Sequence, residues 1–198
     1  MTKYQSQDKF FKKAKEEGYR ARSVFKLQAI DERYHLLRPG MKVLDLGAAP
    51  GSFLQYIGEK IGERGVGIGI DLQKIEDLKL VNVKTYQGDI FDEELYKKIV
   101  RENGLDKFDL ITSDLAPKTT GIPFVDGGAS LDLNLQVLEV VAKYLRRGGG
   151  LVMKILPGFN EGDLIGEARK IFRVIRKYRP QAVRKSSGES YIVCLKKS

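Results

Sequence analysis

The sequence predicts an α/β fold: a mostly parallel seven-stranded sheet with helices on both faces, ending in an antiparallel C-terminal hairpin. Three observations predict it. Short apolar runs alternate with amphipathic helical stretches from about residue 42 onward, and that alternation builds βαβ units around a parallel sheet. The runs are apolar at successive positions, as strands covered on both faces are. The first of them passes through "VLDLGAAPGSFLQY" into a loop of small residues, with a carboxylate just before its first glycine. At 198 residues one domain with a sizeable core is expected, with residues 1–38 a basic helical extension and residues 39–198 the sheet domain.

The elements follow in order. "GYRARSVFKLQAIDERY" is an amphipathic helix, with Val24, Leu27, Ile30 and Tyr34 at three- and four-residue steps and a stop at "RPG". "KVLDL" is a buried strand, and "GSFLQYIGEKIG" a helix with Phe53, Ile57 and Ile61 on one face. "GVGIGIDL", "NVKTYQ", "FDLITSDL" and "GGLVMKIL" are further strands, separated by the helices "DEELYKKIVREN" and "SLDLNLQVLEVVAKYLRRG". A helix is expected from about Asp163 to Tyr178, with Leu164, Ala168, Ile171, Ile175 and Tyr178 as its apolar stripe. Its other side carries Arg169, Lys170, Arg173, Arg176 and Lys177. "QAVRK", the turn "SSGE" and "SYIVCLKK" read as the closing hairpin.

Charge is distributed unevenly. Residues 1–40 net +5, residues 41–168 net −5 and residues 169–198 net +9. A mildly acidic centre between two basic ends suits a polyanion held beside a site built from carboxylates. No apolar run approaches the roughly 20 residues of a membrane span, and residues 1–23 lack the apolar core of a signal peptide. A cytoplasmic protein without a membrane partner is expected. One cysteine and one histidine cannot make a Cys/His metal site, so Cys194 is assigned to packing and His35 to the surface.

Ligands of a doubly wound sheet sit outside the carboxyl ends of the strands, where strand order reverses. The small residues Gly47, Ala48, Ala49 and Gly51 let a ligand approach the backbone there. A dinucleotide needs G-x-G-x-x-G and free amides for its diphosphate. The chain instead has G-A-A-P-G, and Pro50 removes one donor. S-adenosylmethionine has no phosphate; it calls for a close-packed loop, an acid for the ribose hydroxyls and an acid near the adenine amine. Asp71 ends "GVGIGID", and Asp89 follows the third strand in "QGDIF". Each has a plainer reading, Asp71 capping a turn and Asp89 capping the helix near Asp92.

Seven segments, "YRARSVFKL", "DLGAAPGSFLQY", "GIDL", "GDI", "SDLAP", "VMKIL" and "SSGESYIV", resemble in order those of the FtsJ/RrmJ family of ribose 2′-O-methyltransferases, specifically its ribosomal RNA large-subunit type. The resemblance spans nearly the whole chain. It implies a Rossmann-like S-adenosylmethionine-dependent methyltransferase fold and a Lys-Asp-Lys-Glu tetrad around the methyl-accepting hydroxyl, falling on Lys26, Asp114, Lys154 and Glu189. It further implies Lys154 as proton acceptor, the other three as orienting groups, and Gly51, Phe53, Asp71, Asp89 and Asp114 around the cofactor. Lysine accepts a proton only when neutral, a form that burial and a nearby Lys26 favour and two carboxylates oppose. Ser52-Phe53 and Lys118 depart from the family pattern, which has Gly-Trp and asparagine there; none of these three belongs to the tetrad. The implied substrate is a uridine ribose of 23S-type ribosomal RNA within the large subunit, with tRNA the alternative. Two readings from other classes remain open at this level, a nicotinamide-dependent oxidoreductase and a non-catalytic RNA-binding protein. No feature sets the oligomeric state, and a monomer is the simplest expectation.

Overall fold

A computed structural model describes residues 9–117, 123–156, 161–184 and 187–198. Its elements are α1 (Lys9–Glu16), α2 (Val24–Tyr34), β1 (Lys42–Leu46), α3 (Ser52–Ile61), β2 (Val66–Asp71), β3 (Val83–Gln87), α4 (Glu93–Glu102), β4 (Phe108–Ser113), α5 (Pro123–Tyr144), β5 (Leu145–Ile155), α6 (Glu161–Ile171), β6 (Phe172–Tyr178) and β7 (Ser190–Lys197). The sheet runs β3-β2-β1-β4-β5-β7-β6. β1 to β5 are parallel to one another, and β7 is antiparallel to both β5 and β6. Strand order reverses between β1 and β4, so the loops leaving these two strands part and open a cleft at the carboxyl edge.

Register sets what that edge presents. Leu46 lies opposite Ile70 and Ser113, and Ser113 lies opposite Met153. One step further along, Gly47, Asp71, Asp114 and Lys154 therefore stand at one level. Lys154 is opposite Tyr191, which is opposite Tyr178. Side chains alternate across the pleat. Leu151, Met153 and Ile155 join the core beneath α4, α5 and α6, while Val152 joins Val43, Leu110, Tyr191 and Val193 in the core beneath α2 and α3. Lys154 accordingly points to the α2 side. On that side β2 carries glycine; a Cβ on Gly69 would stand 2.4 Å from the Leu54 side chain, so α3 seats directly on the strand. α2 is tied to α3 by Asp31, whose carboxylate accepts from Leu36 N, Leu37 N and the Tyr56 hydroxyl at 2.8–2.9 Å.

Two expected elements are corrected. The helix expected to reach Tyr178 ends at Ile171, and residues 172–178 form edge strand β6. "FRVIRKY" satisfies a helical stripe through Ile171, Ile175 and Tyr178, yet its aromatic and β-branched residues equally suit a strand. The open edge of β7 decides between them by supplying hydrogen-bond partners. "QAVRK" is consequently not the hairpin partner of β7; its described residues, 181–184, form a turn, and the hairpin is β6–β7. Lys185 lies outside the described residues. α5 starts at Pro123, earlier than the expected Ser130, and gives way to β5 at Leu145. Cys194 is fully buried, its thiol pushed up to about 12 by burial, and His35 is exposed at the left-handed C-cap of α2. No described helix is long and apolar enough to cross a membrane.

Candidate active site

The loop after β1 is held by its own amides. Gly47 N and Ala48 N donate to Ile70 O, Gly51 N donates to Ala48 O, and Ala49 N donates to Asp71 Oδ2 at 2.9 Å. Pro50 has no amide to give. The amides of residues 47–51 are therefore committed, which leaves no cradle there for a diphosphate and rules against the dinucleotide reading. Asp71 accepts from Gln73 N through its other oxygen at 2.8 Å. Both oxygens are thus oriented, and each keeps a lone pair for a ligand hydroxyl.

A cleft of about 850 Å³ opens over this loop, lined among others by Gly47, Asp71, Leu72, Asp89, Phe91 and Asp114. Asp89 accepts from Phe91 N at 3.1 Å, while Asp92 caps α4 by accepting from Glu94 N and Leu95 N. Asp89 is thereby released from the plainer capping role. Leu72 and Phe91 are 66% and 54% exposed, large apolar side chains beside the two carboxylates. A nucleoside fits this set: hydroxyls on Asp71, a flat ring against Leu72 and Phe91, and an exocyclic amine toward Asp89. Gly51 stands just outside the lining. With φ at 105° it starts α3, and a Cβ there would come within 2.9 Å of Leu78. Phe53 is 3% exposed and belongs to the core between α2 and α3; the structure does not bring it to the cleft.

The four tetrad residues do come together. Lys154 is 7% exposed, its Nζ 2.5 Å from the Asp114 carbonyl oxygen and 3.1 Å from Asp114 Oδ1. Lys26, reaching over from α2, pairs with Glu189 at 2.6 Å. Tyr191 joins the two pairs. Its hydroxyl donates to Asp114 Oδ1 at 2.6 Å, and its ring lies 6.0 Å from Lys26 Nζ. Burial, then the Asp114 carboxylate, pushes the Tyr191 phenol well above its usual value, so it stays a donor. Asp114 belongs to both groups of residues, since it lines the cleft and pairs with Lys154. Lys118 lies outside the described residues.

Sequence reasoning missed Tyr191, Leu72, Phe91, Arg20 and the role of Asp45. Arg20 clasps the outer side of the cofactor loop, donating to the carbonyls of Pro50 (3.0 Å), Glu76 and Asp77 (2.7 Å each). Asp45 is 1% exposed; one oxygen accepts from Thr112 Oγ1 at 2.6 Å, and Oδ2 has no partner among the described residues. Burial pushes its carboxyl up to about 8, against the Thr112 hydrogen bond, with Asp114 and Asp71 adding to the rise. The folded state therefore keeps a proton that an unfolded aspartate sheds near pH ~4, and stability falls as pH rises from there towards about 8. Asp45→Asn removes this dependence. Its melting temperature relative to the unsubstituted protein should rise between pH 5 and pH 8.5 in cofactor-free buffer; a constant difference would show that Asp45 is ionised throughout.

A doubly wound sheet with a nucleoside-sized cleft, an acid ending β2 and no diphosphate cradle is the arrangement of an enzyme that takes a nucleoside-bearing cofactor. The comparisons narrow it. Residues 19–197 match the family model of FtsJ-like methyltransferases. The chain is 41% identical to Ribosomal RNA large subunit methyltransferase E of Nitratidesulfovibrio vulgaris, over 98% of this chain and 94% of that protein. It is 40% identical to the protein of the same name from Bdellovibrio bacteriovorus, over 98% of each. A crystal structure of a ribosomal RNA methyltransferase from Plasmodium falciparum superposes with a TM-score of 0.81 at 28% identity, over 90% of this chain and 98% of that one. The chain belongs to the FtsJ-like methyltransferase family, an S-adenosylmethionine-dependent group.

Proposed function

We propose that this protein transfers a methyl group from S-adenosylmethionine to a ribose 2′-hydroxyl of large-subunit ribosomal RNA, a uridine of 23S-type RNA within the ribosomal particle. It acts in the cytoplasm as a monomeric single unit whose first 38 residues add basic charge to the catalytic sheet. The observation that carries the reading is the double engagement of Asp114, which lines the cofactor cleft and also pairs with Lys154. The methyl donor and the proton acceptor are thereby kept on two sides of one carboxylate.

Bound S-adenosylmethionine supplies a methyl group activated by its sulfonium. The residues do the rest. Asp71 and Asp89 hold the ribose and adenine, and Leu72 and Phe91 exclude water from the ring. Lys26 and Glu189 orient the substrate ribose, and Lys154 Nζ, acting as the neutral amine after giving up its own proton to solvent, takes the proton that the 2′-hydroxyl sheds during attack. Asp114, fixed by the Tyr191 hydroxyl, keeps the Lys154 amine aimed at that oxygen. A carboxylate-lined cleft of this kind has no use in a protein that only binds RNA.

The test compares labelled methyl transfer into large ribosomal subunits, deproteinised ribosomal RNA and tRNA, mapping each modified ribose by its resistance to alkaline cleavage. Subunits are expected to be the best substrate. Label confined to tRNA would overturn the ribosomal assignment while leaving the chemistry intact.

A further inference from the structure

We propose that Arg20 is a positioning residue for cofactor binding, holding the loop that follows β2 against the loop that follows β1; this rests on the cofactor reading of the cleft and not on the RNA. The β2 loop begins with Leu72 and Gln73, which line the cleft beside Asp71 and Ala49. At its near end Leu72 O accepts from Gln87 Nε2 at 3.0 Å. From Gln73 to Lys79 its backbone makes no hydrogen bond to other backbone groups among the described residues. Two of its amides turn inward instead, Gln73 N to Asp71 Oδ1 and Lys79 N to Asp77 Oδ1, at 2.8 and 2.9 Å. Its packing is a small apolar cluster, in which buried Ile75 and the partly buried Leu78 meet Ala48 and Leu54.

Arg20 supplies the missing ties. Its Nη1 donates to Pro50 O at 3.0 Å and to Glu76 O at 2.7 Å, and its Nη2 donates to Asp77 O at 2.7 Å. One guanidinium thus spans both loops, since Pro50 belongs to the β1 loop and Glu76 and Asp77 to the β2 loop. Its own place is set by α3. Arg20 N donates to Gln55 Oε1 at 2.8 Å, and Gln55 Nε2 returns a bond to Gly18 O at 3.0 Å. The Tyr19 hydroxyl adds a further tie, donating to Glu59 at 2.8 Å. The three acceptors of the guanidinium are neutral carbonyls, so the contact depends on the planar fork more than on its charge.

A loop without ladder bonds keeps conformational freedom, and a ligand that uses it as a wall bears the cost of ordering it. Arg20 orders it in the free protein. Asp71 and Leu72, where the loop starts, then stand ready for the ribose hydroxyls and the adenine ring before the cofactor arrives. Arg20 itself is exposed and does not line the cleft; it acts through the loop and touches no reacting atom.

Calorimetry on the full chain measures binding of S-adenosylmethionine and S-adenosylhomocysteine by the unsubstituted protein, Arg20→Gln, Arg20→Lys and Tyr19→Phe, with melting temperatures read on the same samples. Tyr19→Phe is the reference for a purely structural loss, because it cuts a tie of the same segment and touches neither loop. Arg20→Gln should weaken both ligands by one factor, roughly tenfold, since they share the adenosine that the two loops enclose. Arg20→Lys should fall in between: one ammonium can meet the two carbonyls that share Nη1 but not Asp77 O as well. In turnover, KM for the cofactor should rise in parallel while kcat and KM for RNA stay within about twofold, the pattern of lost uniform binding. Tyr19→Phe should lower the melting temperature and leave cofactor affinity alone. Unchanged cofactor affinity in Arg20→Gln would overturn the proposal: a fall in melting temperature would then mark a structural staple, and weaker RNA binding a contact to RNA. Full recovery by Arg20→Lys would overturn it too, by showing that charge alone counts. If the unsubstituted protein binds neither ligand, the cofactor reading itself fails, and the proposal with it.

Discussion

Lys154→Ala is expected to lower the single-turnover methylation rate by roughly 10²-fold or more, the range for loss of a positioned general base, with RNA and cofactor still bound. The geometry explains why binding survives. Lys154 is 7% exposed and spends its hydrogen bonds on Asp114, and the cofactor cleft is lined by Asp114 rather than by the lysine itself. Arginine is the stricter substitution, because it keeps the positive charge and cannot shed a proton. Lys154→Arg should be as slow as Lys154→Ala. An active arginine variant would remove the lysine as proton acceptor and leave the tetrad as a device that positions the ribose.

Asp114→Asn should be nearly as damaging for a different reason. It removes the charge that Lys154 faces at 3.1 Å and weakens the acceptor of the Tyr191 hydroxyl at 2.6 Å. Without that charge the Lys154 amine is no longer held in line with the 2′-hydroxyl and moves toward water, so the base is misplaced even where it is neutral, and a buried pair that loses one partner costs stability. Turnover should fall by roughly 10²-fold, cofactor affinity should also weaken because Asp114 borders the cleft, and the melting temperature should drop. Tyr191→Phe deletes one neutral donor and keeps the ring under Lys26, so its loss should stay within about tenfold. Stopped-quench kinetics and calorimetry on the same preparations separate the two. Equal losses for both variants would mean that Tyr191, not the Asp114 charge, sets the site.

Much of the fold and site could be read from local chemistry. β1, β2, β4 and β5 are apolar on both faces because both faces are covered, and no helix of that length competes with such short runs. Asp71 was legible because an acid ending a buried strand beside a small-residue loop has few uses. The four residues of the resemblance were findable only through their surrounding segments, since Lys26, Asp114, Lys154 and Glu189 lie up to 163 positions apart in the chain, and sheet register together with the packing of α2 brings them near one another. Tyr191 was hidden because an aromatic in "SYIVCL" looks like core, and it is core except at its hydroxyl. Leu72 and Phe91 gave no pattern, as single exposed apolar residues are ordinary. β6 was misread because its seven residues fit two periodicities and the deciding partner, the edge of β7, follows it in the sequence. Phe53 was placed at the cofactor by resemblance, whereas its helical position turns it toward α2.

The central claim, that the Asp114–Lys154 pair directs a methyl group onto a ribose oxygen, is tested most directly by nucleoside analysis. The protein is incubated with isotopically labelled S-adenosylmethionine and large ribosomal subunits, the RNA is digested to nucleosides, and the labelled species are identified by mass spectrometry. The account predicts label in a 2′-O-methylated nucleoside and none on any base. Label on a base, or unlabelled RNA from protein that binds the cofactor, would contradict it.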